Sequence, residues 1–345
     1  MQLRVCLAAV FARVALLAFS APISKSRAIP TDGTVPASVT QDSALLIPGA
    51  VSAIGAAEVE SYTPYGWFAQ VTYCPQPRQA DWSCASCQAD PVKDFQVYAS
   101  GGDGGIVQNC QVCGLVAIQT INSSGTRGDG VQQYVRIPPD PNSTELADAV
   151  YSFAVLTDAA LLHVQLNPKL FPGIPFQATA HLGFKAAHER TAEIVLKTVK
   201  QIIDEKGATK VVTVGHSLGG ALALLDGLYL RLNLPSKVNV ITRTFGQPRV
   251  GNNAFAIFVD QKLPDLVRIT NKRDPIPVVP TVISGYRHTS GEKHINAQSA
   301  WNACAGRDNL NENCSTGQIL RQAIVLDDHL GPYGGGVMLG AGSCV

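Results

Sequence analysis

Apolar and polar positions in this chain alternate between two periods, most clearly beyond about residue 176. From Glu189 to Glu205, Ile194, Val195, Val199, Ile202 and Ile203 fall on one stripe and Gly207 ends the run, which predicts an amphipathic helix. Val211 to Val214 is a short unbroken β-prone run and predicts a strand. Leu222, Leu225, Leu228 and Leu232 then recur at helical spacing from Leu218 to Leu232. A strand over Val238 to Phe245, a helix over Asn252 to Lys262 and a strand over Leu266 to Thr270 continue the pattern. Such alternation predicts an α/β fold, a mostly parallel central sheet with helices on both faces, whose chemistry collects at the carboxyl ends of the strands. Upstream, Ala56 to Tyr73 reads as a helix ending at Cys74-Pro75. Residues 80 to 145 are less legible: Gly, Pro and Asn break short apolar runs, and Gly-Asp-Gly followed by Val-Gln occurs twice, at Gly102 to Gln108 and at Gly128 to Gln132.

The 345 residues accommodate one α/β domain of about 250 to 300 residues plus processed N-terminal sequence. Apolar residues make up 46% and charged residues 15%, which excludes a disordered composition. A formal net charge of +1, without a dense Lys and Arg run, argues against a nucleic-acid partner. Residues 1–20 read as a secretory signal peptide, with Arg4, an apolar run to Phe19 and a small-x-small site at Ala18-Phe19-Ser20; Arg13 interrupts the run and leaves a mitochondrial presequence as the competing reading. Residues 21–55, rich in Pro, Ser, Thr and Ala, read as a propeptide or flexible arm. The domain is expected over 56–345, with 100–150 atypical. No other run is apolar over the about 18 residues a membrane span needs.

Cys6 would leave with the signal, and the remaining Cys74, Cys84, Cys87, Cys110, Cys113, Cys304, Cys314 and Cys344 are an even set that suits disulfides in an exported chain. The CxxC pairs at Cys84 and Cys110 raise zinc as an alternative, weakened because the other cysteines form no second ligand cluster. Sequons stand at Asn122, Asn142 and Asn313.

The chemistry centres on Thr213-Val214-Gly215-His216-Ser217-Leu218-Gly219-Gly220, a GxSxG run between the predicted strand and helix. Glycines two positions either side of Ser217 remove the β-carbons that would clash where strand and helix nearly touch, so the turn can present the serine hydroxyl. That hydroxyl needs an imidazole to take its proton and an acid to orient the imidazole. Asp274, just past the Leu266 to Thr270 strand and followed by Pro275, Pro277 and Pro280, is the best acid; Asp265, Asp327 and Asp328 are its rivals. His329, in Asp327-Asp328-His329-Leu330-Gly331-Pro332-Tyr333, is the best base, although chain order leaves His288 and His294 open.

These runs together resemble the secreted fungal class 3 lipases, a family that also includes feruloyl esterases. The resemblance is carried by His181-Leu182-Gly183-Phe184, Val214 to Gly220, Phe245-Gly246-Gln247-Pro248-Arg249-Val250-Gly251, Asn271 to Pro277, Gly285-Tyr286-Arg287-His288 through Glu292, and Asp328-His329 through Tyr333. It implies an α/β-hydrolase fold, Ser217 as nucleophile, Asp274 as acid and His329 as base, with no metal or organic cofactor. It makes His288 and His294 structural, and His181 and His216 supports around the elbow. It also implies disulfides Cys74–Cys344, Cys84–Cys87 and Cys304–Cys314, and leaves Cys110 and Cys113 without counterparts.

The chain departs from the family in one respect. The family has a strand ending in Gly-Thr or Gly-Ser that supplies half of the oxyanion hole, and no such strand is legible here; Gly125-Thr126 has the letters in another context. The backbone amide of Leu218 is the one assigned donor, and the second is unknown. The lipase reading expects a mobile apolar lid, for which Ala149 to Leu166 is the candidate; core packing of the same apolar residues is the alternative. The expected function is a secreted, monomeric carboxylic ester hydrolase, a triacylglycerol lipase acting on lipid or ester substrates at an oil-water interface. A feruloyl or short-chain esterase is the first alternative, and a lipid-binding homologue lacking half of the oxyanion hole is the second.

Overall fold

A computed structural model describes residues 48–74, 76–99, 114–119, 132–135 and 162–340. Their strands are β1 (Val51–Ala53), β2 (Gln96–Ala99), β3 (Gly114–Gln119), β4 (Gln132–Val135), β5 (His163–Gln165), β6 (Thr179–His181), β7 (Lys210–His216), β8 (Asn239–Phe245), β9 (Gly251–Asn252), β10 (Val267–Asn271), β11 (Tyr286–Arg287), β12 (Glu292–Ile295) and β13 (Trp301–Cys304). The longer helices are α1 (Ala56–Val71), α2 (Leu182–Lys206), α3 (Leu218–Asn233) and α4 (Asn253–Lys262).

Val211, Val212, Thr213 and Val214 are all buried, so β7 is covered on both faces, as a continuous apolar strand must be. Its alternate residues enter different layers. Val211 joins Val240 under α2, α3 and α4, through residues such as Val195, Leu225 and Phe255. Val212 and Val214 join Ile241, Phe245 and Ile269 against α1, through Phe68 and Val71. Period-two alternation along the strand thus distributes one run of valines between two cores.

The large sheet has the order β1-β13-β12-β10-β8-β7-β3-β4-β2. Its centre, β12-β10-β8-β7, is parallel. Both flanks bring antiparallel pairs: β13 against β12 and β1 on one side, β3 against β7 and β4 on the other. The sheet is therefore mixed around a parallel core, with helices on both faces. A smaller sheet has the order β11-β9-β6-β5.

Three boundaries differ from the sequence reading. Helix α2 begins at Leu182 rather than Glu189, because the His181 ring accepts the Gly183 amide at 3.0 Å and caps the helix ahead of its apolar stripe. The arm expected through residue 55 joins the folded body earlier: the Gly49 amide donates to Asn309 at 2.8 Å, and Val51–Ala53 extends the sheet beside β13. The end of the expected lid is fixed too, since His163–Gln165 is strand β5, paired with β6. Residues 149–161, the signal segment, Gly125-Thr126, Cys110, Cys113, Asn122 and Asn142 lie outside the described residues. At the third sequon, Asn313 is half-buried, and the Ser315 amide donates to Glu292 at 2.8 Å beside the Cys304–Cys314 disulfide.

Helix α3 lies close on the sheet at Gly227, where a β-carbon would stand 2.2 Å from the Thr242 hydroxyl and 3.0 Å from the Thr213 hydroxyl. Those hydroxyls bond each other at 2.8 Å. Gly227→Ala is expected to destabilise the fold by about 1–3 kcal/mol through overpacking, which outweighs the roughly 1 kcal/mol that alanine adds to a helix. Urea unfolding checks this, and a midpoint at or above wild type would contradict the close approach.

Candidate active site

At the end of β7, a β-carbon on Gly215 would meet the Gly219 carbonyl oxygen at 2.0 Å, and one on Gly220 would meet Gln247 at 3.1 Å. The chain must therefore reverse within one residue. Ser217 takes the strain at φ 58°, ψ −129°, outside the ordinary regions for an L-residue. Its amide donates to the Phe245 carbonyl at 2.9 Å, which anchors the turn to β8.

The Ser217 hydroxyl donates to His329 Nε2 at 2.8 Å, and His329 Nδ1–H donates to Asp274 Oδ2 at 2.8 Å. The other carboxylate oxygen, Oδ1, accepts the Ile276 amide at 2.8 Å. Asp274 follows β10 on a turn closed by its own amide to Asn271 O at 3.0 Å. Asp274 and His329 are buried, so their attraction acts away from bulk water.

His329 lies in a 3₁₀ turn, Leu326–Leu330, fastened at Asp328 to the segment that carries Asp274. Asn271 Nδ2 donates to the Asp328 carbonyl at 2.8 Å, and the Arg273 amide donates to the Asp328 carboxylate at 3.1 Å. Gly246, at φ 53°, lies against the imidazole: a β-carbon there would stand 2.9 Å from the ring. The His329 carbonyl accepts His216 Nε2–H at 2.8 Å and the Tyr333 hydroxyl at 3.0 Å. With Nε2 donating, His216 Nδ1 accepts the Tyr73 hydroxyl from the segment after α1. Burial, and then the neighbouring charge of His329, holds His216 well below the usual histidine range, so it stays neutral. Burial, followed by Asp274, pushes the Tyr333 hydroxyl well above its usual range and keeps its proton available.

The structure thus brings Ser217, His329 and Asp274 into one hydrogen-bonded chain. Leu218 opens α3, where the first amides have no acceptor within the helix and the helix dipole is positive. The strand beside the elbow is β3, and it pairs antiparallel with β7 at Gly114↔Gly215. It begins level with Gly215 rather than ending at the elbow, unlike the Gly-Thr strand of the resembled family. No second donor is placed among the described residues.

The rival residues have other partners. His288 Nε2–H donates to the Pro277 carbonyl at 2.6 Å, and His294 bonds Thr270 and Gln318. Asp328 pairs with Arg273 at 3.8 Å. His181 caps α2. Cys84–Cys87 and Cys304–Cys314 are disulfides. Cys74 is disulfide-bonded as well, and Cys344 lies outside the described residues. Among the described residues, no three His, Cys, Asp or Glu side chains form a group able to hold a metal ion. Sequence reasoning did not assign roles to Tyr73, Tyr333 or Gly246; the last two stood in the motif runs, but nothing in a linear pattern shows which ring they meet.

The class 3 lipase family pattern, Lipase (class 3), matches residues 151–284. The secreted mono- and diacylglycerol lipase 2 of Gibberella zeae is 37% identical over 130 residues, 35% of this chain and 32% of the relative, so that match spans about a third of the relative's length. The secreted mono- and diacylglycerol lipase MDL2 of Malassezia globosa is 28% identical over 77% of this chain and 78% of its own. Among solved structures, the native Rhizomucor miehei lipase propeptide complex superposes with TM-score 0.60 at 22% identity, over 91% of this chain and 92% of that one, a likeness of fold.

Three buried histidines, His216, His288 and His294, are held below the ordinary value of 6.5, each first by burial. The unfolded chain binds their protons more readily, so the stability they contribute is full above about pH 6.5 and is lost as the pH falls below it, by up to about 1.4 kcal/mol per unit for each. Urea midpoints are expected to be level from pH 8 to 7 and to fall from 6.5 to 5. A flat profile over the lower window would contradict neutral burial of these rings.

Proposed function

We propose that the chain is a class 3 lipase, on its match to that family's pattern and to the MDL2 relative, and that it hydrolyses the ester bonds of acylglycerols by acyl transfer through Ser217. The observation that carries this reading is the unbroken hydrogen-bonded chain from the strained Ser217 to His329 to Asp274. His329 Nε2 takes the proton as Ser217 Oγ attacks the ester carbonyl, and Asp274 holds the imidazole in the tautomer that leaves Nε2 free to accept. The Leu218 amide, at the positive end of α3, faces the negative charge that develops on the carbonyl oxygen. Imidazolium then protonates the departing glycerol oxygen. Water, deprotonated by the same Nε2, releases the fatty acid from the acyl-enzyme.

The substrate class rests on the relatives named mono- and diacylglycerol lipases. We place the enzyme outside the cell on three supports: relatives named as secreted, the apolar N-terminal run and the disulfides. No helix among the described residues is long and apolar enough to cross a membrane.

Ser217→Ala is expected to lower turnover of emulsified mono-, di- and triacylglycerol by about a millionfold, and Asp274→Asn by about 10⁴-fold through the wrong tautomer, with folding intact. Titration of released fatty acid, beside assays on soluble short esters and methyl ferulate, checks both claims. Activity confined to the soluble esters would replace the lipase reading with an esterase. A folded wild type that hydrolyses none of these substrates would support the lipid-binding alternative, to which the antiparallel β3 beside the elbow lends weight.

A further inference from the structure

We infer that the buried Arg249–Asp308 pair is a positioning device for the acid and base, locking the loop that carries Asp274 to the loop on which the His329 ring rests. This inference rests on the reading of Ser217, His329 and Asp274 as the reacting groups.

The acid loop uses its few amide donors on itself: Ile276 donates to Asp274 Oδ1, Val278 to the Pro275 carbonyl and Val279 to the Ile276 carbonyl. Pro275, Pro277 and Pro280 have no amide hydrogen, so much of the segment after Asp274 has acceptors and few donors. Every carbonyl from Pro277 to Pro280 is instead taken by a buried donor from elsewhere. Arg249 Nη1 donates to the Val278 carbonyl, and to the Pro280 carbonyl at 2.9 Å. The Arg249 amide donates to the Val279 carbonyl at 2.9 Å. His288 Nε2–H takes the Pro277 carbonyl at 2.6 Å.

Asp308 fixes both donors. Its Oδ1 accepts Arg249 Nε and Nη2, each at 2.7 Å, and its Oδ2 accepts the His288 amide at 2.9 Å. Thr316 accepts Arg249 Nη2 at 3.3 Å. Arg249 and Asp308 are each 1% exposed, so both charges have left water. Burial alone would raise the Asp308 carboxyl, yet Arg249 and His288 hold it below the ordinary carboxylate range.

A buried ion pair is a costly way to fill a core, and apolar residues of equal volume often serve stability as well or better. A planar guanidinium does what they cannot: it fixes several oxygens in one plane at once. Its location gives that fixing a consequence. Arg249 closely follows Gly246, on whose α-carbon the His329 ring packs, and the carbonyls it holds closely follow Asp274. The pair therefore ties together the two loops that bracket the His329–Asp274 bond. Loosening it separates the imidazole from its carboxylate without touching Ser217.

The test is Arg249→Lys, which keeps charge and most of the volume but cannot reach Asp308 and the carbonyls together, beside Asp308→Asn; thermal unfolding by circular dichroism establishes that each variant is folded. The lysine variant is expected to lose roughly 10- to 100-fold in kcat with KM within about twofold. The acid limb of its kcat/KM profile should move to lower pH, because a displaced Asp274 favours imidazolium less. The low-field Nδ1 proton resonance of His329, assigned by its loss in His329→Gln, should broaden or vanish. A general loss of stability would lower the active fraction and leave the limb and the resonance where they are. Folded Arg249→Lys with an unmoved limb and an intact resonance would overturn the inference, whatever its kcat. If the wild type hydrolyses no ester, the functional reading fails, and the resonance, which needs no substrate, still decides the positioning role.

Discussion

Strand β7 and helix α3 approach so closely that a methyl group at Gly215 would fall 2.0 Å from the Gly219 carbonyl oxygen. That contact leaves one residue in which to turn from strand to helix, and Ser217 absorbs the reversal at a positive φ. Such a conformation costs of order 1–3 kcal/mol and persists only where its surroundings over-determine it. Here the surroundings are the Phe245 carbonyl on β8, Gln247 against Gly220, and valines of β7 that enter cores on both faces of the sheet. The placing of the half-buried Ser217 at the turn is thus a consequence of how tightly the rest is packed.

From the strained turn, order spreads through loops that contribute few donors of their own. Asp274 and His329 follow different strands and are far apart in sequence, yet both are buried and joined at 2.8 Å. The Asp274 loop is held by Arg249 and His288, the His329 turn by Asn271 and the Arg273 amide, and the His329 carbonyl by His216 and Tyr333. Neutral groups surround the imidazole where a second cation would weaken it as a base: His216 is kept uncharged by burial, and Tyr333 is kept protonated.

Local patterning made the elements around the elbow legible, because β7 and α3 carry their burial in short unbroken runs that need no partner to be read. The acid and base were readable as candidates, since a carboxylate at a strand end followed by prolines has a local signature. Chain order could not separate His329 from His288 and His294, because that choice depends on which ring faces Ser217. Edge strands were harder. Val51–Ala53 and His163–Gln165 are three residues each, too short to show a period, and gain their structure by pairing with β13 and β6. The direction of β3 was not legible for the same reason: parallel and antiparallel neighbours differ in pairing, not in composition. Asp308, with no motif around it, has meaning only beside Arg249.

The central claim is that Ser217, held in a strained turn, attacks an acyl carbonyl whose oxygen is received by the Leu218 amide. A crystal structure of the protein treated with a long-chain alkyl phosphonate tests this directly, since phosphonate at the nucleophile reproduces the tetrahedral intermediate. Phosphorus is expected on Ser217 Oγ, with one phosphonyl oxygen about 2.7–3.1 Å from the Leu218 amide nitrogen and the His329–Asp274 bond retained. An unreacted Ser217 in folded protein, or phosphorus bonded to another side chain, would contradict the account.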